Sequence, residues 1–356
     1  MLFEQLESLE HEQVVYCYDK ATGLKAIIAI HNTTLGPALG GTRIWRYTDE
    51  AAALHDVLRL SRGMTYKSAI SGIHLGGGKA VIIDSDNLHK GEAFWRRYGR
   101  FVNSLNGKYY TAEDVGTSPR IMEYIAQETK FVVGKPDYLG GSGDPSPVTA
   151  YGVYLGMKAA AKHKYGKDSL KKKRVAIQGV GHVGQHLIDY LIKEGAEVLV
   201  CDINERNLDL VTEKHAAVKV IDPADIYTVD AHIYAPCALG ATVNEDTIPK
   251  MKFEIIAGAA NNQLKDEIVH GALLRDHGIT YAPDFLINAG GVCNCFAELN
   301  PTGYHRGMAT SLTEQIYDRT LEILQLADRD NMPVQQAAMH LAQARIDAVA
   351  KLKSCM

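Results

Sequence analysis

The chain has 356 residues, which at about 150 residues per domain bounds it to roughly two domains with sizeable cores. Hydrophobic residues make up 46% and charged residues 22%, a balance that excludes long disordered tracts and collagen-like structure. The 38 basic and 42 acidic residues give a net charge of −4, against the basic excess that gripping a phosphate backbone requires, so no nucleic-acid partner is expected. The one dense basic run, Lys171–Arg174, precedes an apolar stretch and reads as its solvated approach.

No apolar stretch reaches the ~18 residues that span a bilayer, so no membrane partner is expected. The acidic start MLFEQLESLEHEQ lacks the basic-then-apolar pattern of a secretory signal, and a cytoplasmic home is expected. Cys17, Cys201, Cys237, Cys293, Cys295 and Cys355 form no Cys-x-x-Cys pair and read as free thiols in a reducing compartment. No metal is expected: Cys293 and Cys295 stand two apart with no second pair, and His182 and His186, four apart, read as a surface pair. No G-x-S-x-G nucleophile elbow occurs; the nearest run, Gly140-Gly141-Ser142-Gly143-Asp144, lacks the last glycine.

In chain order, EQVVYCYD and LKAIIAIHN read as β-strands joined through a hairpin at Ala21-Thr22-Gly23. LGGTRIWRY reads as a strand, residues 49–60 as a helix by apolar spacing, Ala80–Ile83 as a strand, and 91–105 and 119–127 as helices. The Tyr109-Tyr110 pair belongs to the strand before Asp114. The run GGSGDPSPVT has the composition of a boundary, and Pro147 sits near the start of a helix running to about Lys164. From Arg174 strands and helices alternate through VAIQ, HVGQHLIDYLIKE, AEVLVCD, a helix from Glu205, AHIYAPC and FEIIAGAA, the signature of a parallel sheet covered by helices. Two helical stretches, 305–326 and 333–351, close the chain. The predicted class is α/β in two domains: 1–145, to which the C-terminal helix at 331–356 can return, and a parallel-sheet domain at 146–330.

Gly179-Val180-Gly181-His182-Val183-Gly184 is a G-x-G-x-x-G that follows a predicted strand and opens a predicted helix, with Asp202 closing the next strand. That context suits a dinucleotide site. Gly179 allows a tight turn, Gly181 lets backbone approach a pyrophosphate, Gly184 lets the helix pack close, and helix N–H groups hold the anion. Asp202 suits the adenosine ribose hydroxyls and repels a 2′-phosphate, which favours NAD over NADP; Arg206, four residues on, opposes that preference. The alternative is a glycine turn with an Asp helix cap.

Lys67 ends Gly63-Met64-Thr65-Tyr66-Lys67, Lys79 follows Gly76-Gly77-Gly78, and Asp114 lies in Thr111–Thr117. Three glycines before a lysine allow close approach to a ligand, and a lysine on such a turn, desolvated beside another cation, can act as a base. Solvated surface lysines and a turn-forming aspartate, with Glu113 as a competitor, are the alternative.

These motifs resemble the NAD(P)-dependent amino-acid dehydrogenases that act on leucine, valine, phenylalanine and glutamate, with the leucine branch nearest. The resemblance rests on GPALGGTR (36–43), GMTYK (63–67), GGGKAVI (76–82), TAEDVGT (111–117), PSPVTAYGV (145–153), GVGHVG (179–184), YAPCALG (234–240), AGAANNQL (257–264) and NAGG (288–291), in order along nearly the whole chain. It implies two domains around a cleft: an N-terminal α/β domain for substrate and oligomer assembly, and a Rossmann-type domain. It implies reversible oxidative deamination, in which an L-amino acid, NAD and water give a 2-oxo acid, ammonium and NADH, and a homo-oligomer, an octamer in this branch.

By resemblance, Lys67 holds the substrate carboxylate, Lys79 helps water attack the imino intermediate, and Asp114 shuttles protons with it. Lys67 nearby favours the neutral amine of Lys79. Thr149 and Asn261 fall near the nicotinamide, Asn288 by the substrate, and Val180, His182, Val183, Cys237 and Ala238 join the three glycines and Asp202 at the cofactor. Leu39, Gly40, Ala112, Val292 and Cys295 line the side-chain pocket. Glutamate enzymes carry a lysine where Leu39 stands, and an unpaired glutamate carboxylate there costs several kcal/mol. Val292 matches leucine enzymes; Cys295 replaces their usual valine and softens one wall. The branched-chain amino acids are therefore the expected substrates. Phenylalanine dehydrogenase is the rival enzyme, and a catalytically silent NAD-binding or amino-acid-sensing protein is the rival class.

Overall fold

The computed structural model describes residues 2–354; Cys355 lies outside them. The chain divides into two compact units. The first holds the chain through Pro145, Asn294–Ala309 and the segment from Ala342; the second holds Ser146–Cys293 and Thr310–Leu341. The sequence reading differs in two places: it leaves 294–309, with Cys295, in the Rossmann-type part, and it starts the returning segment at 331 instead of Ala342.

The first unit contains α1 (Leu2–Leu9), β1 (Gln13–Asp19), β2 (Leu24–Asn32), β3 (Ala38–Trp45), α2 (Glu50–Ile70), β4 (Gly76–Ile83), α3 (Glu92–Ser104), β5 (Tyr109–Glu113) and α4 (Pro119–Ala126). Its sheet runs β1-β2-β4-β3-β5. β1, β2 and β4 pair antiparallel, and β3 runs parallel to both β4 and β5. The β1–β2 hairpin forms where Asp19 accepts hydrogen bonds from the Thr22 N–H and hydroxyl and Gly23 takes a φ of 73°, a turn conformation that glycine adopts without strain. Strand alternation splits the core. Ile28 and Ile30 pack with Phe94, Trp95 and Tyr98 of α3, whereas Ile27 and Ala29 pack with Val57 and Leu58 of α2.

Two expectations give way here. The helix predicted at 49–60 continues to Ile70, so Lys67 stands in its last turn. Gly76-Gly77-Gly78 is the start of β4, hydrogen-bonded into the sheet on both sides, and Lys79 sits on a strand instead of a turn. Close packing overrides glycine's weak strand preference. A Cβ at Gly77 would lie 2.1 Å from both Thr65 N and Thr65 Oγ1.

The second unit contains α5 (Ser146–Tyr165), β6 (Arg174–Gln178), α6 (His182–Glu194), β7 (Glu197–Cys201), α7 (Glu205–Lys214), β8 (Lys219–Val220), β9 (Ile233–Pro236), β10 (Ile255–Ile256), α8 (Glu267–Asp276), β11 (Thr280–Tyr281) and α9 (Asp284–Ile287). All its strand pairs are parallel, in the order β8-β7-β6-β9-β10-β11. That is the doubly wound order, and the direction of winding reverses between β6 and β9. Ala176, Tyr234, Ile256 and Tyr281 carry its core from four neighbouring strands. The last helices are α10 (Gly290–Phe296), α11 (Arg306–Arg329) and α12 (Val334–Ser354). Among the described residues no helix is long and apolar enough to cross a membrane.

Candidate active site

Three adjacent strands bring the first unit's predicted residues together. Leu39 on β3 pairs in register with Gly77 of β4 and Tyr110 of β5. Gly40 lies beside Thr111 and Gly41 beside Ala112. Gly40 has no room for a side chain, since a Cβ there would lie 1.7 Å from Gly78 O, and its own carbonyl accepts the Tyr109 hydroxyl. Leu39 and Ala112 are both buried.

Lys79 is 5% exposed, and its Nζ lies 3.0 Å from Asp114 Oδ2. The same oxygen accepts from Arg43 Nε at 3.0 Å, while Arg43 also reaches Asp56, to which the Tyr47 hydroxyl donates. Burial pushes the Asp114 carboxyl up, but Lys79 and Arg43 outweigh it and hold it below the usual carboxylate range. Lys79 thus shares this carboxylate oxygen with a second cation, Arg43. Lys67, near the end of α2, shares a helical turn with Ser71, whose N–H and hydroxyl cap the Lys67 carbonyl.

In the second unit the glycine loop follows β6 where the winding reverses. Gly179 has a φ of 96°, and a Cβ there would lie 2.6 Å from Ala238 Cβ. Gly184 approaches Gly179 O so closely that a Cβ would lie 2.4 Å away. Gly181 is the N-cap of α6 without a side-chain cap, and a Cβ there would meet nothing within 4 Å. His182 and Val183 thus open a helix whose first N–H groups face an open position, an arrangement that suits an anion. Asp202 accepts from the N–H groups of Val180 and Asn204, both at 2.8 Å, and so ties the loop down. The cap of α7 is Asn204 rather than Asp202. Cys237 donates its N–H to Gln178 O, which places Cys237 and Ala238 at the end of β9 beside the loop. Asn288 Nδ2 donates to Asn261 Oδ1 at 2.8 Å and to Ala259 O. Asn288 is buried and its Oδ1 has no hydrogen-bond partner, an acceptor left over for a ligand donor. The open helix start, the winding reversal and this orphan acceptor fit a pyridine dinucleotide. Thr149 lies in the first turn of α5, next to Val148, whose carbonyl packs against Gly290.

The family profile for the Glu/Leu/Phe/Val dehydrogenase dimerisation domain matches residues 11–131, and that for glutamate/leucine/phenylalanine/valine dehydrogenase matches 140–203 and 199–353. The chain belongs to the Glu/Leu/Phe/Val dehydrogenase family. A leucine dehydrogenase from Geobacillus stearothermophilus is 53% identical over 353 residues, covering 99% of this chain and 95% of that one. A valine dehydrogenase from Streptomyces coelicolor is 46% identical over 338 residues, 94% of this chain and 92% of that one. The crystal structure of L-tryptophan dehydrogenase from Nostoc punctiforme matches with a TM-score of 0.85 at 44% identity, covering 98% of this chain and 99% of that one. This chain is an amino-acid dehydrogenase of a family whose members depend on pyridine nucleotides.

Within this family member, Val292 and Cys295 both lie on α10, Val292 in the second unit and Cys295 in the first; Cys295 is buried. The five described cysteines are free thiols, and no group of three or more His, Cys, Asp or Glu side chains among the described residues could hold a metal ion. Arg43, Asp56 and Tyr47 were not singled out by motif reasoning, although Arg43 ends the GPALGGTR run. Alternation along β3 was the available signal: Arg43 falls two residues after Gly41, which pairs with Ala112, on the strand face toward Asp114.

Glu113, next to Asp114, has the opposite environment. Burial, with Asp144, Asp114 and Glu298 nearby, pushes its carboxyl up to about 7. The folded protein therefore holds this proton more tightly than the unfolded chain does. The stabilisation is complete below the unfolded value of about 4.3 and is lost as pH rises through about 7. Glu113→Gln is accordingly expected to raise the Tm relative to the unsubstituted protein at about pH 8, with a much smaller difference at about pH 5. Thermal unfolding followed by circular dichroism at the two pH values checks this; an equal shift at both would contradict it.

Proposed function

We propose that this enzyme catalyses the NAD-dependent, reversible oxidative deamination of leucine, valine and isoleucine to 2-oxo acids with release of ammonium, as a homo-oligomer of octameric size. The observation that carries the reading is the buried Lys79 held 3.0 Å from Asp114 on strands adjoining apolar Leu39 and Ala112. It offers acid–base chemistry beside a pocket wall with no charge for a side-chain carboxylate. The similarity to leucine and valine dehydrogenases supports the aliphatic assignment.

When bound, the dinucleotide accepts the hydride that leaves the substrate α-carbon. Lys67 offers a fixed positive charge to the substrate carboxylate. Asp114, kept ionised by Lys79 and Arg43, accepts a proton from the substrate ammonium and so frees the nitrogen lone pair that forms the imine. Lys79, in its neutral form, serves as the base for the water that adds to the iminium carbon, and Asp114 returns the proton it holds to the amino group of the resulting carbinolamine. Collapse of the carbinolamine releases ammonium and leaves the 2-oxo acid. The first N–H groups of α6 and the carboxylate of Asp202 would hold the pyrophosphate and ribose, with Asn288 Oδ1 available to a carboxamide donor. Asp202 is the basis for NAD over NADP. Asp202→Ala is expected to narrow the NAD/NADP ratio of kcat/KM by at least about tenfold, the size of one charge-assisted interaction. An unchanged ratio would show that other residues set the choice. The reading itself is tested by stoichiometry: leucine, NAD and enzyme should give NADH, ammonium and the 2-oxo acid in equal amounts, and NADH formation without ammonium would refute it.

A further inference from the structure

The antiparallel ladder between β2 and β4 is irregular at one residue. Ala29 pairs with Lys79 and Ile30 with Gly78, but Gly77 pairs with Asn32, so His31 is the extra residue of a β-bulge. Bulges of this kind re-aim a side chain and occur next to active sites. The His31 ring is 5% exposed, and its Nδ1 lies 2.8 Å from Thr65 Oγ1. Thr65 belongs to the last turns of α2, two residues before Lys67, and its backbone N and Oγ1 press on Gly77, where a Cβ would come within 2.1 Å. One histidine–threonine contact thus joins the bulged strand, the helix that carries Lys67 and the glycine backbone that leads into Lys79.

A second layer supports the contact. The His11 ring meets the His31 ring edge-on at 4.8 Å, and His11 Nε2 lies within hydrogen-bond distance of Ser61 Oγ and Leu58 O on α2. The Tyr66 ring stands 6.4 Å from that of His31 and lies beneath the Arg62 guanidinium. Burial, with His11 and Arg62 adding to it, pushes the His31 imidazole down to about 3. The ring is therefore neutral at working pH, and its contact with Thr65 does not switch as pH changes.

We propose that His31, acting through the Thr65 hydroxyl, is a positioning residue for the two lysines of the reaction: it fixes the end of α2 against β4 so that Lys67 and Lys79 hold their places relative to the amino acid. The inference rests on the assignment of Lys67 to the substrate carboxylate. It predicts that loss of the contact raises KM for the amino acid and leaves KM for NAD alone, because the dinucleotide residues lie in the other unit.

The test compares His31→Leu, Thr65→Val, Thr65→Ser, the His31→Leu/Thr65→Val double variant and Lys67→Ala by steady-state kinetics with leucine and NAD, alongside Tm. Thr65→Val is nearly isosteric and guards against a folding failure of the His31 variant. The expected result is a rise of about tenfold in KM for leucine for His31→Leu and for Thr65→Val, the size of one lost buried hydrogen bond. KM for NAD should be unchanged, Thr65→Ser should retain normal values, and the double variant should be no worse than the more affected single one. Unchanged KM for leucine in both single variants, with only Tm lowered, would overturn the proposal, as would additive effects or a failure of Thr65→Ser to rescue. If Lys67→Ala itself leaves KM for leucine unchanged, the carboxylate assignment fails. The proposal then falls with it, whereas a raised KM in Lys67→Ala alone overturns the proposal and leaves the assignment standing.

Discussion

Lys79→Ala is expected to lower kcat for leucine deamination by roughly a thousandfold, within the range that a positioned acid–base group contributes, and to leave NADH affinity within about twofold, since the residues proposed to hold the dinucleotide belong to the second unit. The fold should survive the change. Removing one partner of a buried ion pair is damaging when it strands the other charge, but here Asp114 keeps the Arg43 guanidinium at 3.0 Å. The variant therefore separates chemistry from structure. NADH binding followed by nicotinamide fluorescence, together with turnover in both directions, checks it. More than about a tenth of normal turnover would remove Lys79 from the proton-transfer step.

Asp114→Asn is expected to be harsher on stability and comparably severe on kcat, a loss of about a hundredfold or more. The amide keeps the shape of the carboxylate but cannot accept the ammonium proton, and it leaves Lys79, 5% exposed, without its counter-charge. Arg43 is less affected because Asp56 remains on it. The Tm should fall further than in Lys79→Ala, whereas two equivalent surface partners would give small and equal falls. The acid limb of the stability profile should also change. Burial raises the Asp114 carboxyl, and Lys79 and Arg43 lower it by more. The pair's contribution is therefore present above the unfolded value of about 3.9 and is lost only as pH falls below it. The asparagine variant should lack that part of the acid loss. Equal Tm values for the two variants would mean that the Lys79–Asp114 pair contributes nothing asymmetric to the fold.

The second unit was largely legible in the sequence because its signals are local. Short apolar strands alternate with helices, and the G-x-G-x-x-G lies between a strand and a helix with Asp202 closing the next strand, as expected of a parallel sheet. The tertiary contacts then account for Gly179, which adopts a positive φ against Ala238, and for Gly184, which packs on Gly179 O. In the first unit the decisive contacts are non-local. Gly76–Gly78 reads as a turn by composition, yet it is a strand whose missing side chains admit Thr65 on one face and Tyr109 on the other. The apolar spacing marks a helix only over 49–60, yet α2 runs on through Gly63 to Ile70 because the packing of its last turns outweighs the ~1 kcal/mol cost of a glycine. Arg43 and Asp114 are 71 residues apart in the chain, and His31 and Thr65 are 34 apart; no periodicity announces either pair. The carbonyls of Ser68, Ala69, Gly72 and Ile73 at the end of α2 accept from Arg345 of the returning α12. That cap forms only once the C-terminal segment has come back to the first unit.

The most direct test of the central claim is a comparison of kcat/KM for leucine, valine, isoleucine, phenylalanine, tryptophan and glutamate, followed by the absorbance of reduced nicotinamide with NAD and with NADP. The account predicts high values for the three aliphatic substrates with NAD, partial discrimination among them because a methylene in an apolar pocket is worth only about 1–3 kcal/mol, and negligible turnover of glutamate. A preference for phenylalanine or tryptophan over leucine would contradict the aliphatic assignment, and an absence of turnover with all six would contradict the enzyme assignment itself.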